Sequence, residues 1–178
     1  NPISDAFALQ ALDKLGSNIR AVCADGKNRA ARAEMLLGSL MAGMAFSNAP
    51  CAAVHALAYP IGGHFHVPHG LSNALVLPHV LRFNGPEAKA MYADIAPIAM
   101  PHLVGESGDP GTMTEKLIEG FESLMLDLKL ETTLRQVGVS HNHLPKLAED
   151  AMKQQRLLVN NPREVSYKDA LTIYEKAL

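Results

Sequence analysis

The chain has 178 residues, 16 Lys and Arg against 18 Asp and Glu, a formal net charge of −2 and 48% apolar residues. That length allows one domain burying about 70% of its unfolded surface, and the charge gives no electrostatic case for nucleic acid or an anionic membrane. No stretch reads as a membrane span or secretory signal, and two cysteines without metal-type spacing, Cys23 and Cys51, point to a reduced, cytoplasmic setting in which both are buried small hydrophobes.

Asn1-Pro2-Ile3-Ser4-Asp5 runs straight into a helical pattern with no initiator Met, as expected of a piece of a longer polypeptide. From Ile3 to about Ala24, the residues Ala8, Leu12, Leu15, Ile19 and Val22 recur every three or four positions, one face of an amphipathic helix that Gly26 can stop. Asn28 can cap a second helix reaching about Ala45. Its run from Met35 to Met44 is apolar almost all round, which predicts a central, buried helix. Asn48 then reads as a cap, with Pro50 in the first turn of a short helix carrying His55. Pro60-Ile61-Gly62-Gly63 predicts a turn. A helix from about His69 to Phe83 follows, kinked at Pro78. Gly85-Pro86 punctuates, and a helix from Pro86 to Met100 turns Met91, Ile95 and Ile98 inward. Leu103 to Gly111, polar and Gly-rich, is expected to be a mobile loop. Met113, Leu117, Ile118, Phe121, Leu124, Met125 and Leu128 form the cleanest helical stripe in the chain. A short turn-helix holds Leu134 and Val137 before Gly138, and Asn142 caps the next helix, to about Arg156. Ser166 and Asp169 resemble a capping box for the last helix, to Leu178. No run alternates at period two and no repeat is present, so the sequence predicts an all-α fold.

The stretch from Ala45 to Asn84 holds five of the eight histidines, His55, His64, His66, His69 and His79, with Arg82 its only formal charge. Histidine is the commonest transition-metal ligand and moves protons near neutral pH, which makes this stretch the candidate site. His55 and His69 are fourteen residues apart. One helix would separate them by roughly 21 Å, whereas a turn between them folds the second back onto the first. His69 would then open a helix, where the dipole disfavours imidazolium and leaves a neutral ring able to coordinate. His64 and His66 form an H-x-H that alone would suggest a zinc hydrolase. The nearest following acid is Glu87, however, so a pocket-wall or solvent-facing role is the simpler reading. His79 reads as structural, and His102, His141 and His143 as surface residues. Tyr59, four residues after His55, shares its helical face, and its phenol reads equally as a donor at a reaction centre or as packing. Asn161-Pro162-Arg163 reads as a cap and turn. No G-x-G-x-x-G phosphate loop is present.

Phe46-Ser47-Asn48, Val54-His55-Ala56, Pro60-x-Gly62-Gly63, Pro68-His69-Gly70 and Leu77-Pro78-His79-Val80-x-x-x-Asn84 resemble, in order and spacing, the signature of the iron-containing (group III) alcohol dehydrogenases. The tail, Asn161-Pro162-Arg163-Glu164 and a short helix, is similar to that family's C-terminus. The resemblance implies a multi-helix bundle, the dehydroquinate synthase-like C-terminal helical domain, spanning residues 1–178 as a single metal-binding domain. It implies His55 and His69 as ligands of Fe²⁺, or of Zn²⁺, and Phe46 in the wall of the substrate pocket, where His64 is also expected. The usual third histidine, near the nicotinamide, is Tyr59 here, and the usual Gly before the first ligand is Ala52. Tyr59-Pro60 also looks like the hydroxyacid-oxoacid transhydrogenase branch of the superfamily.

By the same resemblance, NAD(P) is bound by an N-terminal α/β domain of the same polypeptide, absent from this chain. An Asp and a His four residues apart, just upstream, supply the remaining ligands. The expected whole is a homo-oligomeric oxidoreductase acting on an alcohol or aldehyde, or on a hydroxy acid. A non-catalytic helical module that merely keeps the fold is the alternative from another class. The isolated chain is expected to fold but not to turn over.

Overall fold

A computed structural model describes residues 1–178 and contains helices and connecting turns, with no strand. The chain divides into two compact units, residues 1–50 with 89–120, and residues 51–88 with 121–178.

The first unit begins with α1 (Pro2–Ala24), whose opening amides are capped by Asn1: its side-chain oxygen accepts from the Ile3 and Ser4 N–H groups, both at 3.2 Å. Asn28 caps α2 (Arg29–Phe46) in the same way, accepting from the Ala31 amide at 3.1 Å. These caps satisfy amides that a helix start leaves without partners. The two helices form a hairpin. Gly38 lets α2 sit on Leu15, where an added Cβ would come within 2.9 Å of Leu15 Cγ. The unit is completed by residues 89–99 of α4 (His69–Ala99), a 3₁₀ turn at Pro101–Leu103, and residues 110–120 of α5 (Pro110–Asp127). Asp109 caps α5 by accepting from the Gly111 and Thr112 amides. Gly16 passes against the Ala99 carbonyl, an approach that only a residue without Cβ permits.

The expected central, buried helix from Met35 to Met44 is not what forms. Leu36, Leu40 and Met44 are 71%, 60% and 43% exposed, and burial in α2 falls on Ala31, Gly38 and Ala45. The reason is that α1 is the extensive partner of α2 and covers one stripe of it. Met91 is likewise exposed, and the inward face of that stretch is made by Tyr92, Ala96, Ala99 and Met100. Cys23 is exposed rather than buried, while Cys51 is half-buried against the core of the second unit.

In the second unit, α3 (Ala53–Phe65) starts later than expected, after Pro50 and without a side-chain cap; Asn48 instead donates to the Met44 carbonyl. Helix α3 also runs straight through Pro60, Gly62 and Gly63. The chain reverses at His66, Val67 and Pro68, with His66 in the left-handed region at φ 56° as the C-cap. Gly62 matters here because a Cβ would lie 3.3 Å from the Val67 carbonyl oxygen. Helix α4 then continues through Pro78, Gly85-Pro86 and Pro97 as one element of 31 residues, where two helices were expected. After residues 121–127 of α5 come a 3₁₀ turn at Leu134–Val137 and Gly138 at φ 88°, as the local sequence predicts. Asn142 lies inside a further 3₁₀ turn begun by Ser140, so it caps nothing. The expected helix to Arg156 is broken into α6 (Leu144–Met152) and α7 (Gln155–Leu158). Helix α8 (Tyr167–Ala177) opens with the predicted Ser166–Asp169 capping box. The core of this unit gathers Leu57, Ile61, Leu75, Leu134, Leu147 and Tyr174, each at most 1% exposed.

Candidate metal centre

The reversal between α3 and α4 brings His55 and His69 side by side, with ring centroids 5.2 Å apart and planes inclined at 58°. His55 sits in the first turn of α3, and Tyr59 follows one turn later on the same face. The Tyr59 ring stands 5.7 Å from His69 and 6.4 Å from His55, so the three rings form a triangle. His69 is the first residue of α4, and Asn73 one turn on places its Nδ2 3.1 Å from His69 Nε2. An amide N–H can only donate, so Nε2 is the acceptor there and carries the lone pair. The same Nδ2 donates to the His69 carbonyl at 3.0 Å, while Asn73 Oδ1 is buried without a hydrogen-bond partner.

Burial, and to a lesser extent the adjacent His69 ring, holds His55 below its ordinary value and favours the neutral imidazole. No group of three His, Cys, Asp or Glu side chains gathers into a metal-binding cluster.

The other candidates are placed elsewhere. His64 points to α6, where its Nε2 lies 2.8 Å from Asp150 Oδ2; with Phe65, Asn142, His143 and Lys146 it lines a pocket of about 270 Å³. His66 is the C-cap of α3. Phe46, at the end of α2 in the first unit, is 57% exposed and lines an apolar pocket of about 370 Å³ with Ser4, Ala8, Leu12 and Ala45. His79 is half-buried beside Glu122 and Lys176, and burial lowers its pKa. His102, His141 and His143 are exposed, as expected.

Residues that sequence reasoning passed over also contribute. Asn73 carries a local signal, four residues after His69. Asp150 and Tyr174 carry none, since their partners are 86 and 117 residues away. Asn161 and Arg163, expected as a cap and turn, reach α4. Asn161 and Asn84 exchange amide hydrogen bonds of 2.7 and 3.1 Å, and Arg163 donates to the Phe83 carbonyl at 2.8 Å with its guanidinium over the Phe83 ring.

The family model for the C-terminal part of the Fe-containing alcohol dehydrogenases matches residues 1–178. This chain belongs to the Fe-containing alcohol dehydrogenase family. It is 37% identical over 177 residues to 1,3-propanediol dehydrogenase of Klebsiella pneumoniae, covering 99% of this chain and 45% of the relative. It is 36% identical to long-chain-alcohol dehydrogenase 1 of Geobacillus thermodenitrificans over 99% of this chain and 44% of that protein. The crystal structure of a 1,3-propanediol oxidoreductase superposes with a TM-score of 0.93 at 37% identity, covering 100% of this chain and 46% of that one. The chain thus spans about half the length of the alcohol dehydrogenases it matches, 45% of the first.

For this member of the alcohol dehydrogenase family, the side chains present suit a metal. Adjacent imidazoles are donors that Fe²⁺ and Zn²⁺ both accept. One ring is held neutral, the other offers a lone pair that an amide now occupies, and a buried carbonyl oxygen beside it lacks a donor.

Proposed function

We propose that the chain is the metal-binding half of an NAD(P)-linked alcohol dehydrogenase or aldehyde reductase, residues 1–178 serving as one helical domain of a longer, homo-oligomeric polypeptide. The single observation that carries this reading is the adjacency of the His55 and His69 rings, 5.2 Å apart, in a chain of this family. His55 and His69 would hold Fe²⁺, or Zn²⁺, through neutral ring nitrogens, and the remaining ligands and the nicotinamide site would come from the preceding part of the polypeptide. The chemistry supplied by such an ion is Lewis-acid polarisation of an alcohol or carbonyl oxygen during hydride transfer.

This chain's own residues have definite tasks in that reading. The burial that keeps His55 neutral preserves its lone pair for binding. Asn73 fixes the ring orientation of His69 and must release Nε2 for it to act as a ligand. Tyr59 offers a phenol proton within the ring triangle, where it serves as a donor to the reacting oxygen. Phe46 is assigned to the substrate pocket on the family resemblance.

Tyr59-Pro60 favours a second reading within the superfamily, hydride exchange between a hydroxy acid and an oxo acid on retained NAD. Steady-state assays of the full-length protein separate the two. Net NAD-linked oxidation of simple alcohols supports the dehydrogenase, and turnover only when a hydroxy acid and an oxo acid are both present supports the transhydrogenase. Neither activity, with no metal bound, would refute both in favour of a helical module that keeps only the fold. The 178-residue chain alone is expected to show no turnover in the same assay.

A further inference from the structure

Helices α3 and α4 each carry prolines inside the helix, among them Pro60 and Pro86. A proline deletes the N–H that would reach the carbonyl four residues back, and its ring forces that turn open, so neighbouring carbonyls lose their usual geometry. At both positions the carbonyl three residues before the proline is taken by a side chain from beyond Asn160. The Tyr174 hydroxyl donates to the Leu57 carbonyl at 2.6 Å, and Arg163 donates to the Phe83 carbonyl at 2.8 Å.

The Tyr174 contact lies closest to the histidine pair. Leu57 stands between His55 and Tyr59 in the first turns of α3. Tyr174 is 0% exposed, with its ring in the same core cluster as Leu57 and Ile61. Burial, with Asp150 adding to it, raises its phenol far above the ordinary value, so the hydroxyl remains a donor throughout the working pH range. The bond therefore joins a permanently protonated donor on α8 to the backbone of the turn that presents His55.

We propose that Tyr174 is a positioning residue for the His55–His69 pair: by holding the Leu57 carbonyl it fixes the turn of α3 that sets His55 beside His69 before any metal is bound. Its effect on metal affinity rests on the reading of that pair as ligands; its effect on ring geometry does not. Tyr174→Phe removes the hydroxyl and keeps the ring. Two measurements on the 178-residue chain decide the matter: the NOE between His55 and His69 ring protons without metal, and Co²⁺ affinity by titration. In Tyr174→Phe the chain stays helical, the NOE weakens, and Co²⁺ binds about tenfold more weakly, the size typical of changes to groups that orient metal ligands. Ile173→Val, a trim of the same helix, lowers the melting temperature and moves neither readout. A Tyr174→Phe chain that melts earlier but keeps the wild-type NOE overturns the proposal, because the bond is then merely structural. A wild-type chain that shows the NOE yet takes up no Co²⁺ at the pair refutes the metal reading, and the NOE arm still decides positioning. Should Tyr174→Phe fail to fold, Pro60→Ala/Tyr174→Phe decides instead. Removing the Pro60 ring lets the Ile61 N–H close on the Leu57 carbonyl, so fold and NOE recover if the hydroxyl compensates for Pro60, and failure to recover overturns the proposal.

Discussion

The α1–α2 hairpin of the first unit and the whole of the second, residues 51–88 with 121–178, spend their apolar side chains in opposite ways. In the second unit the large ones go inside: Leu57, Ile61, Leu75, Leu144 and Tyr174 are at most 1% exposed. In the first unit the hairpin of α1 and α2 closes on Ala11, Ala31, Gly38 and Ala45, while Leu36, Leu40 and Phe46 remain open. The difference lies in how many neighbours cover each helix, which is a property of the fold rather than of the segment. Small residues bring two helices close but remove little apolar surface from water, so the hairpin gains less from hydrophobic burial than the core of the second unit.

Truncations measure that contrast most directly. Leu57→Ala should cost about 2–5 kcal/mol in urea unfolding. Leu40→Ala, on the open side of α2, should cost less than about 0.5 kcal/mol. Equal losses would dissolve the distinction between the units. Glycine substitutions sharpen it at the next level. Gly16→Ala drives a Cβ into the Ala99 carbonyl oxygen, backbone that cannot yield, and should destabilise by about 1–3 kcal/mol. Gly63→Ala, in α3 with open space around the new methyl, should stabilise by about 0.5–1 kcal/mol. Thermal denaturation of the two variants beside wild type checks both signs.

The pH dependence is a smaller effect and belongs to the second unit. His79 is held below its ordinary value of 6.5 chiefly by burial, then by Arg82, with Lys176 adding and Glu122 opposing. A lowered histidine pKa means that the fold prefers the neutral ring. The associated stability is present above about pH 6.5 and is lost as pH falls through the folded value. His55 acts with the same sign. Glu122, lowered by Arg82, also loses stability on acidification, but below the ordinary carboxylate range. The melting temperature should therefore decline between pH 7 and 5, and His79→Gln should flatten part of that slope; an unchanged slope would exclude His79 as its source. Least of all, Leu36→Lys should leave the melting temperature within the error of wild type, since Leu36 is 71% exposed.

Features with local causes are legible in the sequence itself. Asn28 and the Ser166–Asp169 box cap their helices because a cap needs only the next three residues, and Gly138 stops its turn because only φ matters there. The histidine-rich stretch stands out for a similar reason, as five of a rare residue type with a single formal charge, and the family resemblance is what singles out His55 and His69 within it. Prolines mislead where the remedy is distant. Pro60 suggests a turn and Gly85-Pro86 a break, yet both helices continue, and Tyr174 and Arg163 donate to the carbonyls three residues before Pro60 and Pro86 from 117 and 80 residues away. Composition places the reversal between His55 and His69 at Gly62-Gly63. It occurs at His66, a non-glycine residue in the left-handed region. Asp150 cannot be paired with His64 from sequence, since α6 reaches α3 only once the core has formed.

The Tyr174–Leu57 bond also sets an order of events during synthesis. Tyr174 is made 117 residues after Leu57. At about 5–20 residues per second, that gap lasts roughly 6–23 s. From His69 onward both imidazoles exist in the nascent chain, but the Leu57 carbonyl lacks its Tyr174 partner. A ribosome that stops before residue 174 would release a polypeptide with both imidazoles and without the Tyr174 hydroxyl. With the positioning role proposed for Tyr174, the pair is held in register only once residue 174 has been made.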